Sequence, residues 1–330
     1  MKRAHVLSVI VLSGALVSAA AQLVAQAPAG APPGGAPGQG RPGGPPGGAP
    51  GAGRGPAAGI TGIDKVTDNL YVIQQQGGNT AVFIAANGVV LVDTKNPNNG
   101  QAILDQVKSV TSKPVTHIIN THTHADHTGS NAELPATVEI VTQENTAANM
   151  AKMKNFAEPA TKHGMPDRTY KDKLTLLTGN DSIDLYYFGP AHTNGDTFVV
   201  FRNARVMHSG DAFATKGIPL VDTANGGSGL QYPETFAKAA AGIKGVDRVI
   251  TGHITGANFL QTWQDFVDYG EFNRLLVNAA REGVKAGKGG QQVAAELVLP
   301  EKLKGYSLTG FRGGVDANLT AIMEELKTAK

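Results

Sequence analysis

The 330-residue chain contains no cysteine, one tryptophan and only 17% charged residues. The absence of cysteine excludes disulfide bonds, thiolate metal sites and a cysteine nucleophile. Any metal ion that this protein binds must therefore be held by histidine, carboxylate or other groups without a thiolate.

Acidic residues are missing from the first 59 positions, although four basic residues are present there. All 27 Asp and Glu lie from residue 60 onwards with 25 of the 29 Lys and Arg, which gives this part a net charge of −2. A basic surface that follows a phosphate backbone is not indicated. We therefore predict no nucleic-acid partner.

The N-terminus has the pattern of an export signal. Met1-Lys2-Arg3 precedes a short apolar run, and Ala19-Ala20-Ala21 supplies the small residues of a cleavage site. Residues 1–21 thus predict a signal peptide, cleaved after Ala21, and a periplasmic or secreted protein. The alternative is an uncleaved membrane anchor, because Val6 to Ala25 is about long enough to span a bilayer.

Glycine and proline are concentrated in the segment that follows. Positions 27–59 hold 13 of the 42 Gly and 9 of the 18 Pro, with few apolar side chains. Such a composition cannot offset the conformational entropy lost on ordering, so residues 22–59 predict a disordered linker. Residues 60–330 have ordinary apolar content, enough to form one large domain or two small ones, and we predict the folded part of the protein there.

Strands and helices alternate along residues 60–330. Asn87-Gly88 between two apolar runs is a strong hairpin signal. Strand meanders followed by helices occur twice, which predicts two similar α/β halves packed sheet against sheet with helices outside. The polar segment 157–173 is predicted as a loop. Predicted strands cover 70–76, 80–85, 89–93, 115–120, 137–142, 174–178, 182–188, 197–202, 205–209 and 246–251, and predicted helices cover 96–110, 143–156, 233–244, 256–285 (one or two helices) and 315–327.

Three of the nine histidines lie within six residues, in the segment His122-Thr123-His124-Ala125-Asp126-His127. In an extended chain, residues two apart point to the same side, so His122 and His124 can hold one metal ion together. Asp126 and His127 lie where the chain turns, and they can face a second ion beside the first. This concentration of ligand types favours a metal site over the core or surface role of a single strand histidine.

The sequence resembles the metallo-β-lactamase superfamily of hydrolases, whose signature H-x-H-x-D-H matches His122 to His127. Further segments match in the family's order: the hairpin Asn87 to Asp93, the segment Gly189 to Thr197, then Met207 to Asp211, and Thr251 to His253. The resemblance implies an α/β fold, the αβ/βα four-layer sandwich, in which two mixed sheets pack together with helices outside. It also implies a site at one edge of the sandwich with one or two zinc ions.

The same resemblance implies how the ligands are shared between two ions. Ligands at strand ends converge on one rim of a sheet, which agrees with the positions of these residues after predicted strands. Imidazole and carboxylate donors suit zinc, although iron and manganese accept them too. We therefore expect two Zn²⁺ per chain. The first ion would be bound by His122, His124 and His192, the second by Asp126, His127 and His253, and Asp211 would bridge both.

This ligand set predicts a hydrolase. Two cations roughly 3.5–4 Å apart lower the pKa of a bridging water, and the resulting hydroxide would attack an amide, ester, lactone or thioester carbonyl. Asp126 would orient the hydroxide and then pass its proton to the leaving group. Two other functions stay open: an iron-dependent oxidoreductase similar to sulfur dioxygenases, and a non-catalytic binding module.

The expected partner is a small-molecule substrate. Some β-lactamases of the family have cysteine at the position of Asp211 and a lysine three positions later, which here is Ala214. Lys216 is near that position but shifted, so an anchor for a β-lactam carboxylate is not established, and β-lactams are one candidate substrate among several. His208 has two candidate roles: it packs in the core, or it supports the metal ligands.

Overall fold

The structure is a computed structural model that describes residues 59–310 and 314–328. The predicted signal peptide, residues 1–21, and residues 22–58 of the predicted linker lie outside the described residues. No helix in the described ranges combines the length and the apolar character needed to cross a bilayer.

The first sheet contains seven strands in chain order. Its strands are β1 (Asp64–Lys65), β2 (Leu70–Ile73), β3 (Thr80–Ile84), β4 (Val89–Val92), β5 (Val115–Ile119), β6 (Glu139–Gln143) and β7 (Arg168–Tyr170). Neighbours from β1 to β4 are antiparallel, and those from β4 to β7 are parallel. Parallel neighbours require crossover connections. The helices in these connections are α1 (Gly100–Val110), α2 (Ala125–Thr128) and α3 (Glu144–Met150).

The second sheet contains six strands, in the order β14-β13-β11-β10-β9-β8, and a separate strand pair joins β12 to β15. The strands are β8 (Lys173–Leu176), β9 (Ile183–Tyr186), β10 (Phe198–Phe201), β11 (Val206–His208), β12 (Gly217–Ile218), β13 (Arg248–Ile250), β14 (Leu260–Thr262) and β15 (Ser307–Gly310). The later helices are α4 (Tyr232–Gly242), α5 (Trp263–Lys285), α6 (Gly290–Glu296) and α7 (Gly314–Thr328).

Three apolar clusters separate four layers. Alternate residues of β10 point to opposite faces, so Val199 and Phe201 lie in the cluster between the two sheets, whereas Phe198 and Val200 pack with α4 and α5 on the outer face. Phe83 of the first sheet meets Phe201 of the second with ring centroids 5.2 Å apart. The third cluster joins the outer face of the first sheet to α1. The prediction of two mixed sheets with helices outside is confirmed.

Several predicted boundaries are wrong for local reasons. The predicted helix 256–285 contains β14, and α5 starts only at Trp263, where Thr262 and Asp265 form a capping box. The predicted helix 143–156 ends at Met150 and is followed by a separate 3-10 turn. The predicted loop 157–173 contains β7, which extends the first sheet beside β6.

Candidate metal centre

The candidate ligands lie at one edge of the sandwich because several strands end there. The segment His122 to His127 follows β5, and Asp211 and His253 follow β11 and β13, which are parallel neighbours. His192 precedes β10, which is antiparallel to β11, so the loop before β10 reaches the same edge. The fold thus brings all seven predicted residues together from both sheets.

Their donor atoms form two groups within the described residues. His122, His124, His192 and Asp211 make up the first group, and Asp126, His127 and His253 the second; within each group the donor atoms lie within 4.8 Å of one another. His124 Nδ1 lies 2.9 Å from His192 Nε2, and His127 Nε2 lies 3.3 Å from His253 Nε2. We call these the first and second donor groups.

Asp211 lies between the two groups. Its Oδ2 is 3.8 Å from His192 Nε2 and 3.2 Å from His253 Nε2, and its Oδ1 is 3.2 Å from His127 Nε2. One carboxylate therefore reaches donors of both groups, which is the placement required of a bridging ligand. The roles of the individual residues as ligands stay a prediction.

The protonation states of the buried rings suit a metal site. Burial lowers the pKa of His122 well below its usual value and that of His192 to about 4, so both rings are neutral, as metal ligands must be. His122 Nε2 is buried without a hydrogen-bond partner among the described residues. A buried, unpaired lone pair is costly unless a cation or a donor meets it, so the donor set fits a cation.

Asp93 orients His127 from behind and was missed as a site residue by the sequence analysis. His127 Nδ1 donates to Asp93 Oδ2 at 2.6 Å, which leaves Nε2 to face the cluster. Thr121 fixes the same carboxylate through its backbone N–H and its hydroxyl, at 2.8 and 2.7 Å. Burial opposes protonation of His127, but Asp211 and Asp93 outweigh it and raise the pKa of the ring. A cation at Nε2 must therefore displace a proton.

Asp222 performs the same task for His124 in the first group. Its Oδ2 lies 2.6 Å from His124 Nε2 and also accepts a hydrogen bond from Asn225 Nδ2 at 2.6 Å. Because Nε2 is taken, His124 presents Nδ1 to the cluster. Asp222 lies 98 residues from His124, and no sequence pattern identifies it.

The other rings of the first group are oriented by nearer partners. His192 Nδ1 donates to the carbonyl of Leu220 at 2.8 Å, so its Nε2 faces the cluster. His122 Nδ1 lies 3.0 Å from the hydroxyl of Thr121. Each ring is thus held through one nitrogen and offers the other to the same point in space.

His208 and Lys216 do not contribute donors. His208 Nε2 donates to the carbonyl of Asn79 at 2.9 Å, and its Nδ1 accepts from the backbone N–H of Gly210 at 3.1 Å. It therefore supports the chain leading into Asp211. Lys216 Nζ forms a 2.6 Å ion pair with Asp265, so this ammonium is already engaged by a carboxylate of the protein.

Solvent reaches the cluster on one side. The side chains of His124 and Asp222 are 24% and 18% exposed, whereas those of His127 and His192 are 0% and 1% exposed. A substrate can approach the donor groups from the side of His124, which the loop carrying Asp222 borders.

A family model for the metallo-beta-lactamase superfamily matches residues 74–254, more than half of the chain. The chain belongs to the metallo-beta-lactamase superfamily. The matched range contains both donor groups, strands β3 to β7 of the first sheet, and every strand of the second sheet except β14. The family resemblance found in the sequence is confirmed.

Curated proteins similar to this chain differ in their named activities. The chain is 33% identical over 133 residues to the 2,4-dinitroanisole O-demethylase subunit alpha of Nocardioides sp. strain JS1661, a match that covers 39% of each protein. It is 24% identical over 161 residues to a metallo-beta-lactamase type 2 of Bacillus sp. strain 170, covering 46% of this chain and 60% of that protein. The matches thus cover less than two thirds of the length of either relative.

Solved structures confirm the fold. A metallo-beta-lactamase from Pontibacter korlensis matches with a TM-score of 0.53 at 18% identity, covering 64% of this chain and 98% of that one. The sec-alkylsulfatase Pisa1 from Pseudomonas sp. matches with a TM-score of 0.63 at 15% identity, covering 80% of this chain and 50% of that one. At these identities the likeness shows the fold alone.

Proposed function

We propose that this protein is an exported dinuclear metal hydrolase, with two Zn²⁺ per chain. The observation that carries the proposal is the pair of donor groups with the Asp211 carboxylate between them. When bound, a pair of divalent cations supplies Lewis acidity and water of lowered pKa. Neutral imidazoles and carboxylates are suitable donors for such ions.

The protein's own residues contribute orientation and proton transfer. Asp93 and Asp222 hold His127 and His124 through their outer nitrogens, so the inner nitrogens are fixed before any substrate arrives. Asp126 Oδ2 lies 3.5 Å from His253 Nε2 in the second group. A carboxylate at this place can hold a proton taken from the nucleophile and return it to the leaving group.

The proposed substrates are small molecules with an amide, ester, lactone or thioester carbonyl, β-lactams included. The ion pair between Lys216 and Asp265 does not favour a lysine anchor for a substrate carboxylate. The Nocardioides relative is named for demethylation of an aryl methyl ether, so such ethers belong among the substrates to be tested. The chain shares the fold of the sulfatase Pisa1, which adds sulfate esters to that set.

The location of the protein is proposed from residues 1–21 alone. An exported enzyme would meet its substrate in the periplasm or outside the cell. N-terminal sequencing of protein recovered from the periplasm or the medium tests this proposal, and a mature chain beginning at Gln22 is the expected result.

The function is tested on the full-length protein by elemental analysis followed by a substrate screen. We expect about two zinc ions per chain and turnover of at least one substrate in a screen of a chromogenic β-lactam, thioesters, lactones, esters, aryl methyl ethers and sulfate esters. Iron together with oxygen consumption would support an oxidoreductase instead. Protein that retains no metal after dialysis and turns over nothing would support a binding module.

A further inference from the structure

The short connection between β2 and β3 contacts both segments that carry the second donor group. The backbone N–H of Gly78 donates to the carbonyl of Asp126 at 2.9 Å, and that of Asn79 donates to the carbonyl of Gly252 at 2.7 Å. Asp126 lies in α2, which follows β5 of the first sheet, and Gly252 directly precedes His253. One turn thus sets the spacing between the two loops.

Asn79 strengthens this link from a fully buried position. Its Nδ2 donates to the carbonyl of Thr251 at 2.9 Å and to that of Ile254 at 2.8 Å. The main chain on both sides of His253 is therefore bound to one amide group. A shift of Asn79 would move the loop that presents the His253 ring.

Gly78 packs directly against the ring of His127. A Cβ atom at this position would lie 2.1 Å from His127 Cε1, so only glycine fits without displacing the ring. The backbone of the turn therefore forms one wall of the site that holds His127. This wall and the hydrogen bond from Nδ1 to Asp93 together fix the direction in which His127 Nε2 points.

Lys95 closes the turn from the protein interior. Its fully buried Nζ donates to the carbonyls of Ile73 and Gly78, each at 2.8 Å, which lie at the two ends of the turn. Its own carbonyl accepts from the N–H of Gly129, two residues beyond His127, at 2.9 Å. Lys95 thus joins the turn to the loop of the first sheet.

This lysine is held at a cost. Its φ of 64° lies in the left-handed region that favours glycine, and burial lowers the pKa of its ammonium to about 7 against the opposing effect of Asp93. Residues in such strained and desolvated positions cluster at functional sites. Lys95 lies next to the second donor group, so its strained backbone and buried ammonium are best explained by a role at that group.

We propose that Lys95 is a positioning residue for the second metal ion. Its hydrogen bonds to Ile73 and Gly78 fix the turn, and the turn holds His127 and His253 at the spacing that one cation requires. This inference rests on the proposed dinuclear function. Positioning by Lys95 can be told apart from an electrostatic effect of its charge. Removing a buried positive charge near a cation site would strengthen cation binding, whereas loss of positioning weakens it.

The test compares Lys95→Met with Lys113→Met in the full-length protein. Lys113 Nζ also donates to a backbone carbonyl, that of Ala85 at 2.6 Å, but at the opposite end of β3, so it is a matched control. Metal-free protein is titrated with Zn²⁺ in competition with a chromophoric chelator, and with Co²⁺ followed by absorption. We expect Lys95→Met to weaken the second ion about tenfold or more and the first by less than about twofold, with Lys113→Met unchanged.

The outcomes separate this inference from the proposed function. Wild-type protein that binds only one ion would contradict the dinuclear proposal and this inference together. Wild-type protein that binds two ions, with Lys95→Met binding the second equally well or more tightly, would overturn only the role of Lys95. If circular dichroism shows Lys95→Met unfolded, Lys95→Gly, which suits the left-handed backbone, is titrated in its place under the same criteria.

Discussion

Replacement of Asp222 tests how far a residue outside the donor groups controls the first metal ion. Asp222 accepts from His124 Nε2 at 2.6 Å and makes no contact with the second donor group among the described hydrogen bonds and ion pairs. Asp222→Ala would free the His124 ring to rotate, and Asp222→Asn would retain an oxygen acceptor but remove the charge. The second ion should be unaffected by either change.

The expected magnitude follows from the role of the partner. Loss of an outer partner of a ligating histidine typically weakens metal binding about 10–100-fold, which corresponds to about 1.4–2.7 kcal/mol. We expect Asp222→Ala at about the upper end, because orientation and charge are both lost. Asp222→Asn should lie near tenfold, since the tautomer of His124 is kept while the charge-assisted hydrogen bond becomes a neutral one.

The assay is a two-step metal titration with chelator competition, combined with ¹⁵N NMR of the His124 ring in metal-free protein. Nitrogen shifts should show the proton on Nε2 in the wild type. Asp247→Ala is the control, because Asp247 accepts from Arg205 at 2.6 Å but lies 57% exposed on the surface. An Asp222→Ala protein that binds the first ion within about twofold of the wild type, or loses both ions equally, would refute the reasoning.

Three further predictions concern the site and the scaffold. Asp126→Ala should lower kcat by orders of magnitude with an unchanged circular dichroism spectrum. Asp105→Ala, on the exposed side of α1, is the control and should retain full activity. Equal kcat values for the wild type and Asp126→Ala would exclude a role for Asp126 in proton transfer. Gly78→Ala should lower the free energy of unfolding by about 1–3 kcal/mol through the clash with His127, measured by urea denaturation, while Gly305→Ala, which meets nothing within 4 Å, should not. Asp184→Asn should destabilise by about 1–2 kcal/mol at pH 7. Burial alone would raise the pKa of Asp184, but hydrogen bonds from Arg202 and Thr175 lower it below its ordinary 3.8. The stabilisation by the Asp184 carboxylate is therefore present above pH 3.8 and disappears as the pH falls through the lower pKa of the folded state. The stabilities of wild type and variant should converge below about pH 4. A constant difference would contradict this assignment.

Structural features that depend on residues close together in the sequence could be predicted. The strand β5 and the histidines after it follow from an apolar run and a two-residue spacing, and β10 follows from its continuous apolar character. The start of α5 was missed although Thr262 and Asp265 carry a capping-box pattern, because the apolar residues before Thr262 were assigned to the helix. Local patterns thus give the elements and leave their ends less certain.

Contacts between distant segments could not be predicted in the same way. Asp222 is identified as the partner of His124 only once the loop before α4 is folded over the first donor group. Lys95 reads in the sequence as an ordinary charged residue after a strand, and nothing local indicates that it is buried. Asp222 depends on a loop of the second half of the domain, and Lys95 depends on contacts between the β2–β3 connection and the segment after β5. No spacing in the sequence encodes either contact.

The two donor groups combine ligands from segments that are far apart along the chain, with His122 to His127 after β5 and His253 after β13. Neither half of the domain contains a complete set, so bound ions would link the docking of the halves to the concentration of free metal. An ion that binds only the folded state adds about 4 kcal/mol of stability at a concentration 1,000 times its Kd. The lifetime of the folded protein would then depend on how much metal its surroundings supply, and scarcity would expose the chain to proteases.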